Sequence, residues 1–172
     1  MRRKVTVAII IIVCYLLQAT LFQTLSFASI SPNLLIVVTS AFGFMRGKKE
    51  GIWIGLFCGI CMDIFYGGTI GFYALLYMYI GFFNGYFRKL YYPEDIKLPM
   101  LLIGGSDLLY NLAVYFFMFI FRSKFAFDYY LINIIIPELV YTMLVTIVLY
   151  MILLKINPHI ELIEKRSAKK FV

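Results

Sequence analysis

Long unbroken apolar runs, parted by short segments that hold nearly every lysine and arginine, constrain this chain more than any other feature. The runs cover about residues 5–25, 33–45, 50–66, 69–87, 98–121 and 131–154. A spanning α-helix needs roughly 20 mostly apolar residues. A membrane β-barrel would instead alternate apolar and polar positions in segments of about ten. The runs do not alternate, so helices are expected. Hydrophobic residues make up 63% of the chain and charged residues 15%. That is too little charge to cover a water-soluble surface. Six spans would use most of the 172 residues and leave no room for a separate soluble domain. The expected fold is therefore an all-α integral membrane protein, a single transmembrane domain of about six helices with a basic tail over 155–172.

Basic residues set the expected orientation. With the N-terminus inside, the inner regions hold Arg2, Arg3 and Lys4; Arg46, Lys48 and Lys49; Arg88, Lys89 and Lys97; and Lys155, Lys165, Arg166, Lys169 and Lys170. Of the 16 Lys and Arg, only Arg122 and Lys124 fall outside. This bias places both ends in the cytoplasm of a multi-pass inner-membrane protein. It also makes the net charge of +7 a matter of topology and anionic lipid rather than nucleic acid. The basic start and first apolar run could serve as a signal peptide, with Ser26-Phe27-Ala28 as a weak cleavage site. The run is long for a signal, and a retained span is expected. Segment two is short for a span and opens on Ser31-Pro32-Asn33, where proline suits a first helical turn. Tyr66-Gly67-Gly68-Thr69 reads as a tight turn, and Phe121 to Tyr130 as an interfacial connector.

Gly47, Gly51, Gly55, Gly59 and Asp63 recur every four residues, one ridge on a helix. Such glycines let another backbone approach closely in lipid. The neighbour is either a helix of this chain or a partner's helix, and self-association to a homo-oligomer is left open. Gly81 and Gly85 repeat the pattern more weakly. A carboxylate at Asp63 costs a few kcal/mol unless it meets a partner or water, so a cap on the following turn, a partner contact and an ion path are all open. Asp107 and Asn111 share one face of segment five; Pro137 and Glu138 lie in segment six; Gln18, Gln23 and Asn84 add further polar groups. At membrane depth these serve as hydrogen-bond glue or line a small cavity. Their sequence positions place them at different depths, so no convergence is expected.

Nothing in the sequence reads as an active site. The single histidine, His159, lies in the tail, and no glycine-rich loop is spaced for a phosphate. Cys14, Cys58 and Cys61 lie within apolar runs, and the Cys58–Cys61 pair has no second pair to make a metal site. Buried thiols are expected, with no enzyme activity, metal or cofactor.

Pro32-Asn33 opening segment two, the Gly51–Gly55–Gly59–Asp63 ridge, and Gly71 after the tight turn give the chain its resemblance to the MreD family, the small membrane subunit of the bacterial cell-elongation machinery. Length, basic start and basic tail fit as well. The resemblance implies a non-enzymatic scaffold that binds MreC. It would help couple MreB filaments to RodA and its partner transpeptidase, and so to side-wall peptidoglycan synthesis. The family is also similar in fold to the substrate-binding subunits of energy-coupling-factor vitamin transporters, which supplies the alternative function. The Ala-x-x-x-Ala docking pattern of those subunits is absent from segment one, where Ala8 and Ala19 stand eleven apart.

Overall fold

The computed structural model describes residues 2–20, 31–66, 71–92, 96–119 and 127–168, and every regular element among them is helical. Helix α1 spans Arg2–Ala19, α2 Leu34–Arg46, α3 Lys48–Tyr66 and α4 Phe72–Tyr86, which runs into a 3₁₀ turn at Phe87–Leu90. Helix α5 spans Lys97–Phe119. The last helix, α6, begins with an α turn at Phe127–Tyr130, widens to a π turn at Leu131–Ile135 and continues over Ile136–Ala168. The proposed cleavage site at 26–28, the glycines of the turn at 67–68, and Arg122 and Lys124 lie outside the described residues.

Helix α2 is the axis of the bundle. All 13 of its residues are buried, and α1, α3, α4, α5 and α6 all pack on it. A helix apolar on every side, as this one nearly is, must be enclosed. That explains its length. Thirteen residues rise about 20 Å, short of a hydrocarbon core of about 30 Å. A helix with protein on every face has no lipid thickness to match.

The other helices alternate in direction around it. A single residue, Gly47, joins α2 to α3 at φ +99°, the left-handed region that favours glycine. Its N–H donates to the Gly43 carbonyl at 2.7 Å and closes α2. The Lys48 ammonium lies over the rings of Phe82 and Tyr86 at the far end of α4, 5.3 and 4.2 Å from their centroids. At the opposite end, Phe72 meets Phe117 of α5 at 5.6 Å and Tyr115 meets Tyr130 of α6 at 5.0 Å. Each element thus returns past its predecessor. The start of α1, beside Lys49 and Glu50, falls at the same end as Asn157 of α6, which bonds Arg46.

By length and composition two helices qualify as membrane spans: Lys97–Phe117, with mean hydropathy 1.4, and Asp128–Pro158, with 2.3. Val5–Ala19 and Leu34–Arg46 are shorter apolar helices. Helix α3 carries Lys48, Lys49, Glu50 and Asp63, and α4 has only 15 residues.

Two features of α6 depart from the sequence reading. The π turn immediately precedes Pro137, which lacks an N–H and whose ring would clash one turn back in a regular helix. Widening the turn, with the Ile136 N–H on the Leu131 carbonyl, relieves that clash. The segment expected to be a tail from residue 155 is helical to Ala168, through Pro158. Asn157 within it is buried and accepts from the Arg46 Nε at 3.0 Å, which ties this stretch to the end of α2.

Candidate functional site

The glycine ridge is used up inside the molecule. A Cβ at Gly51 would strike the Gly81 carbonyl, and a Cβ at Gly81 would strike that of Gly51. Gly55 lies against the Tyr77 carbonyl, Gly59 against the Ala74 backbone, and Gly85 against the Lys48 backbone. Gly43 of α2 joins the same seam, its Cβ position 2.8 Å from the Gly81 oxygen. Helices α3 and α4 therefore touch backbone to backbone, an approach that small residues alone permit. The ridge is not an open docking face.

Asp63 closes the same helix pair at its other end. Its two carboxylate oxygens accept from three backbone N–H groups of the next helix: Gly71 at 3.0 Å, Tyr73 at 2.9 Å and Ala74 at 3.0 Å. These belong to the first turn of α4, whose N–H groups have no partner within the helix. Asp63 thus serves as an N-cap supplied from the preceding helix, where a negative charge also meets the positive end of the helix dipole. Gly71 itself sits at φ +102°, and nothing approaches within 4 Å of where its Cβ would lie. Its backbone angle, not crowding, calls for glycine there.

A second set of polar groups converges at the start of α2. The Asn33 Oδ1 accepts from the Ile36 N–H at 3.3 Å and from the Tyr77 hydroxyl at 2.8 Å. The Asn33 N–H donates to the Thr142 hydroxyl of α6 at 3.1 Å. Thr142 stands beside the Asp107 carboxylate of α5, and Asn111 hydrogen-bonds Glu138 of α6. Tyr77 packs on Tyr110 at 5.5 Å and Tyr110 on Tyr73 at 6.1 Å. Asn33, Asp107, Asn111 and Thr142 are all buried. Pro32 is buried next to Asn33. Asp107, Asn111 and Glu138 therefore meet near the head of α2, whereas Asn84 lies in a separate cluster. Because α2 is short, its first residues sit well inside the bundle, level with the middles of α5 and α6. Thr142 and Tyr77 were missed in the sequence. The spacing Glu138–Thr142–Thr146, every fourth residue in an apolar run, marks that face of α6.

A third cluster lies further along α2. The Asn84 Nδ2 donates to Ser106 Oγ at 2.7 Å, to the Ile80 carbonyl at 2.9 Å and to Ser40 Oγ at 3.4 Å. It joins α2, α4 and α5.

The outer surface of the bundle is apolar. Opposite its glycine seam, α3 presents Trp53, Phe57, Ile60 and Ile64, with Trp53 62% and Ile64 64% exposed. Between this stripe and α1 runs an open groove of about 790 Å³, walled by Val5, Ile11 and Ile12 on one side and Trp53, Ile54 and Phe57 on the other. Lys49 and Glu50 stand at one end and Cys61 towards the other. From Lys49 to Cys61 the rise along α3 is about 18 Å. Cys14 and Cys58 are buried free thiols, and Cys61 is half-buried.

A family model described as rod shape-determining protein MreD matches residues 1–157. No curated protein and no solved structure matches the chain.

Proposed function

The chain belongs to the MreD family of rod shape-determining proteins, and from that premise we propose that it is a multi-pass, non-enzymatic scaffold of the cell-elongation machinery. In this reading the six-helix bundle is embedded in the inner membrane around the enclosed α2, with both ends in the cytoplasm. The protein captures the single spanning helix of MreC and so helps couple MreB filaments to RodA, its partner transpeptidase and side-wall peptidoglycan synthesis. The basic ends rest on anionic lipid.

The observation that carries the reading is the division of α3 into two faces. Its glycines are committed to α4, while Trp53, Phe57, Ile60 and Ile64 point outward beside the groove along α1. Large aromatic anchors in a groove are the usual centre of a binding surface. In lipid, association depends on packing of this kind rather than on hydrophobicity, since the acyl chains are equally apolar. The groove follows the helix axis for about 18 Å, the right form for a single antiparallel or parallel helix.

The transport-subunit alternative needs a cavity among Asp107, Asn111 and Glu138. Asp107 and Thr142 are 0% accessible and Asn111 is buried, so a ligand of vitamin size would reach them only after rearrangement. The test is co-purification of the tagged protein in mild detergent, with MreC quantified against the protein itself. MreC should accompany the wild type and fall at least several-fold with the Trp53→Ala/Phe57→Ala pair at equal protein level. Equal recovery with both chains would reject the groove. Recovery of a transporter ATPase pair in place of MreC would favour the alternative.

A further inference from the structure

Asp107 is 0% accessible, and apart from the Thr142 hydroxyl beside it neither carboxylate oxygen meets a donor. Glu138 of the neighbouring helix lies within electrostatic reach of it, hydrogen-bonded by Asn111. A buried carboxylate without a partner is costly, and a second one close by adds repulsion. The surroundings supply little to offset this. The start of α2 reaches the site through Asn33 and Thr142, but a helix N-terminus amounts to about half a positive charge. The described lysines and arginines on the same two helices are remote. Lys97 on α5 is ten residues, about 15 Å, from Asp107, and Lys155 on α6 is further still from Glu138. The groups beside the pair are uncharged: Asn111, Thr142 and the phenols of Tyr77, Tyr110 and Tyr130.

We propose that Asp107 and Glu138, with the hydroxyl oxygen of Thr142, form a binding site for a small hard cation at the meeting point of α2, α5 and α6. Carboxylate and hydroxyl oxygens are the kind of donor that such cations take. Among the described residues no three His, Cys, Asp or Glu side chains come together, so a transition-metal centre is not what the cluster offers. Asp107 is fully enclosed, while Glu138 is only partly buried. A cation there would bind α5 to α6 and both to the head of α2, a structural pin independent of the scaffold reading and of the groove.

The experiment uses the full chain purified in neutral detergent. Unfolding is followed by a thiol-reactive fluorophore, because Cys14 and Cys58 are buried in the folded protein. Chlorides of Li⁺, Na⁺, K⁺, Mg²⁺ and Ca²⁺ are each compared with choline chloride at equal ionic strength, which removes general screening. The site predicts that at least one of these cations raises Tm by several degrees, saturably, since a ligand of the folded state stabilises it by mass action. Asp107→Asn and Glu138→Gln should abolish that shift. Thr142→Val, which removes only the hydroxyl, should raise the half-saturating concentration on the order of tenfold. If no cation differs from choline with the wild-type chain, the site does not exist. A shift that survives in the three variants would place the cation elsewhere and equally overturn the assignment.

Discussion

Asp63 sends two oxygens to three N–H groups at the head of α4, and it does so from a different helix. Replacing it with alanine leaves those donors unmet in a partly buried turn, a loss of about 1–3 kcal/mol. Asp63→Asn keeps one acceptor oxygen and should fall near half of that. Thermal melts of the two variants in one detergent check the order. Gly71 separates two reasons for a glycine, because space is free around it while its φ is +102°. Gly71→Ala should still destabilise, by roughly 1 kcal/mol. Gly105→Ala, where open space meets an ordinary helical backbone, should be neutral. Arg46 and Asn157 are the third case: both are buried and bonded across 111 positions of sequence. Arg46→Met and Asn157→Leu should each destabilise. The double variant should cost less than the sum, with a coupling of about 0.5–3 kcal/mol in a double-mutant cycle.

At the scale of the helix, α3 shows how far sequence spacing reaches. Glycines every fourth residue announce a close-packed face, and the face exists. What they pack against could not be read, because spacing describes one helix and not its neighbour. The matching small residues Ala74, Gly81 and Gly85 on α4 were the available clue, and the weaker repeat at 81 and 85 was visible without its register. Gly55→Leu should therefore act on stability before any partner is considered. Its side chain would collide with the Tyr77 backbone, at about 1–3 kcal/mol or more. Phe57→Leu, two residues on and facing outward, should leave the melt unchanged. Helix α2 taught the opposite lesson. Its shortness for a span is plain in the sequence, and only its burial on every face explains that length. The helical stretch beyond residue 154 was also illegible, since the Arg46–Asn157 bond that anchors its start joins residues remote in sequence.

Across the whole molecule, apolar runs sufficed to read an all-helical bundle, and the resemblance carried by Pro32-Asn33, Gly51–Gly55–Gly59–Asp63 and Gly71 pointed to the MreD family. They did not reveal which buried polar groups meet. Asn33, Tyr77, Asp107 and Thr142 come from four helices, and their contact depends on where α2 begins in depth. That start is set by packing around the bundle axis, which no local pattern encodes. The same architecture leaves the α1–α3 groove on the outside, with the glycine seam sealed behind it. The central claim is that this groove receives the MreC helix. Its most direct test is in-cell photo-crosslinking from single positions bearing a photoreactive side chain. Ile12 and Phe57 line the groove, and Leu101 and Val148 are exposed on other faces. The account predicts MreC adducts from positions 12 and 57 and none from 101 and 148. Adducts from 101 or 148 with none from the groove would contradict it.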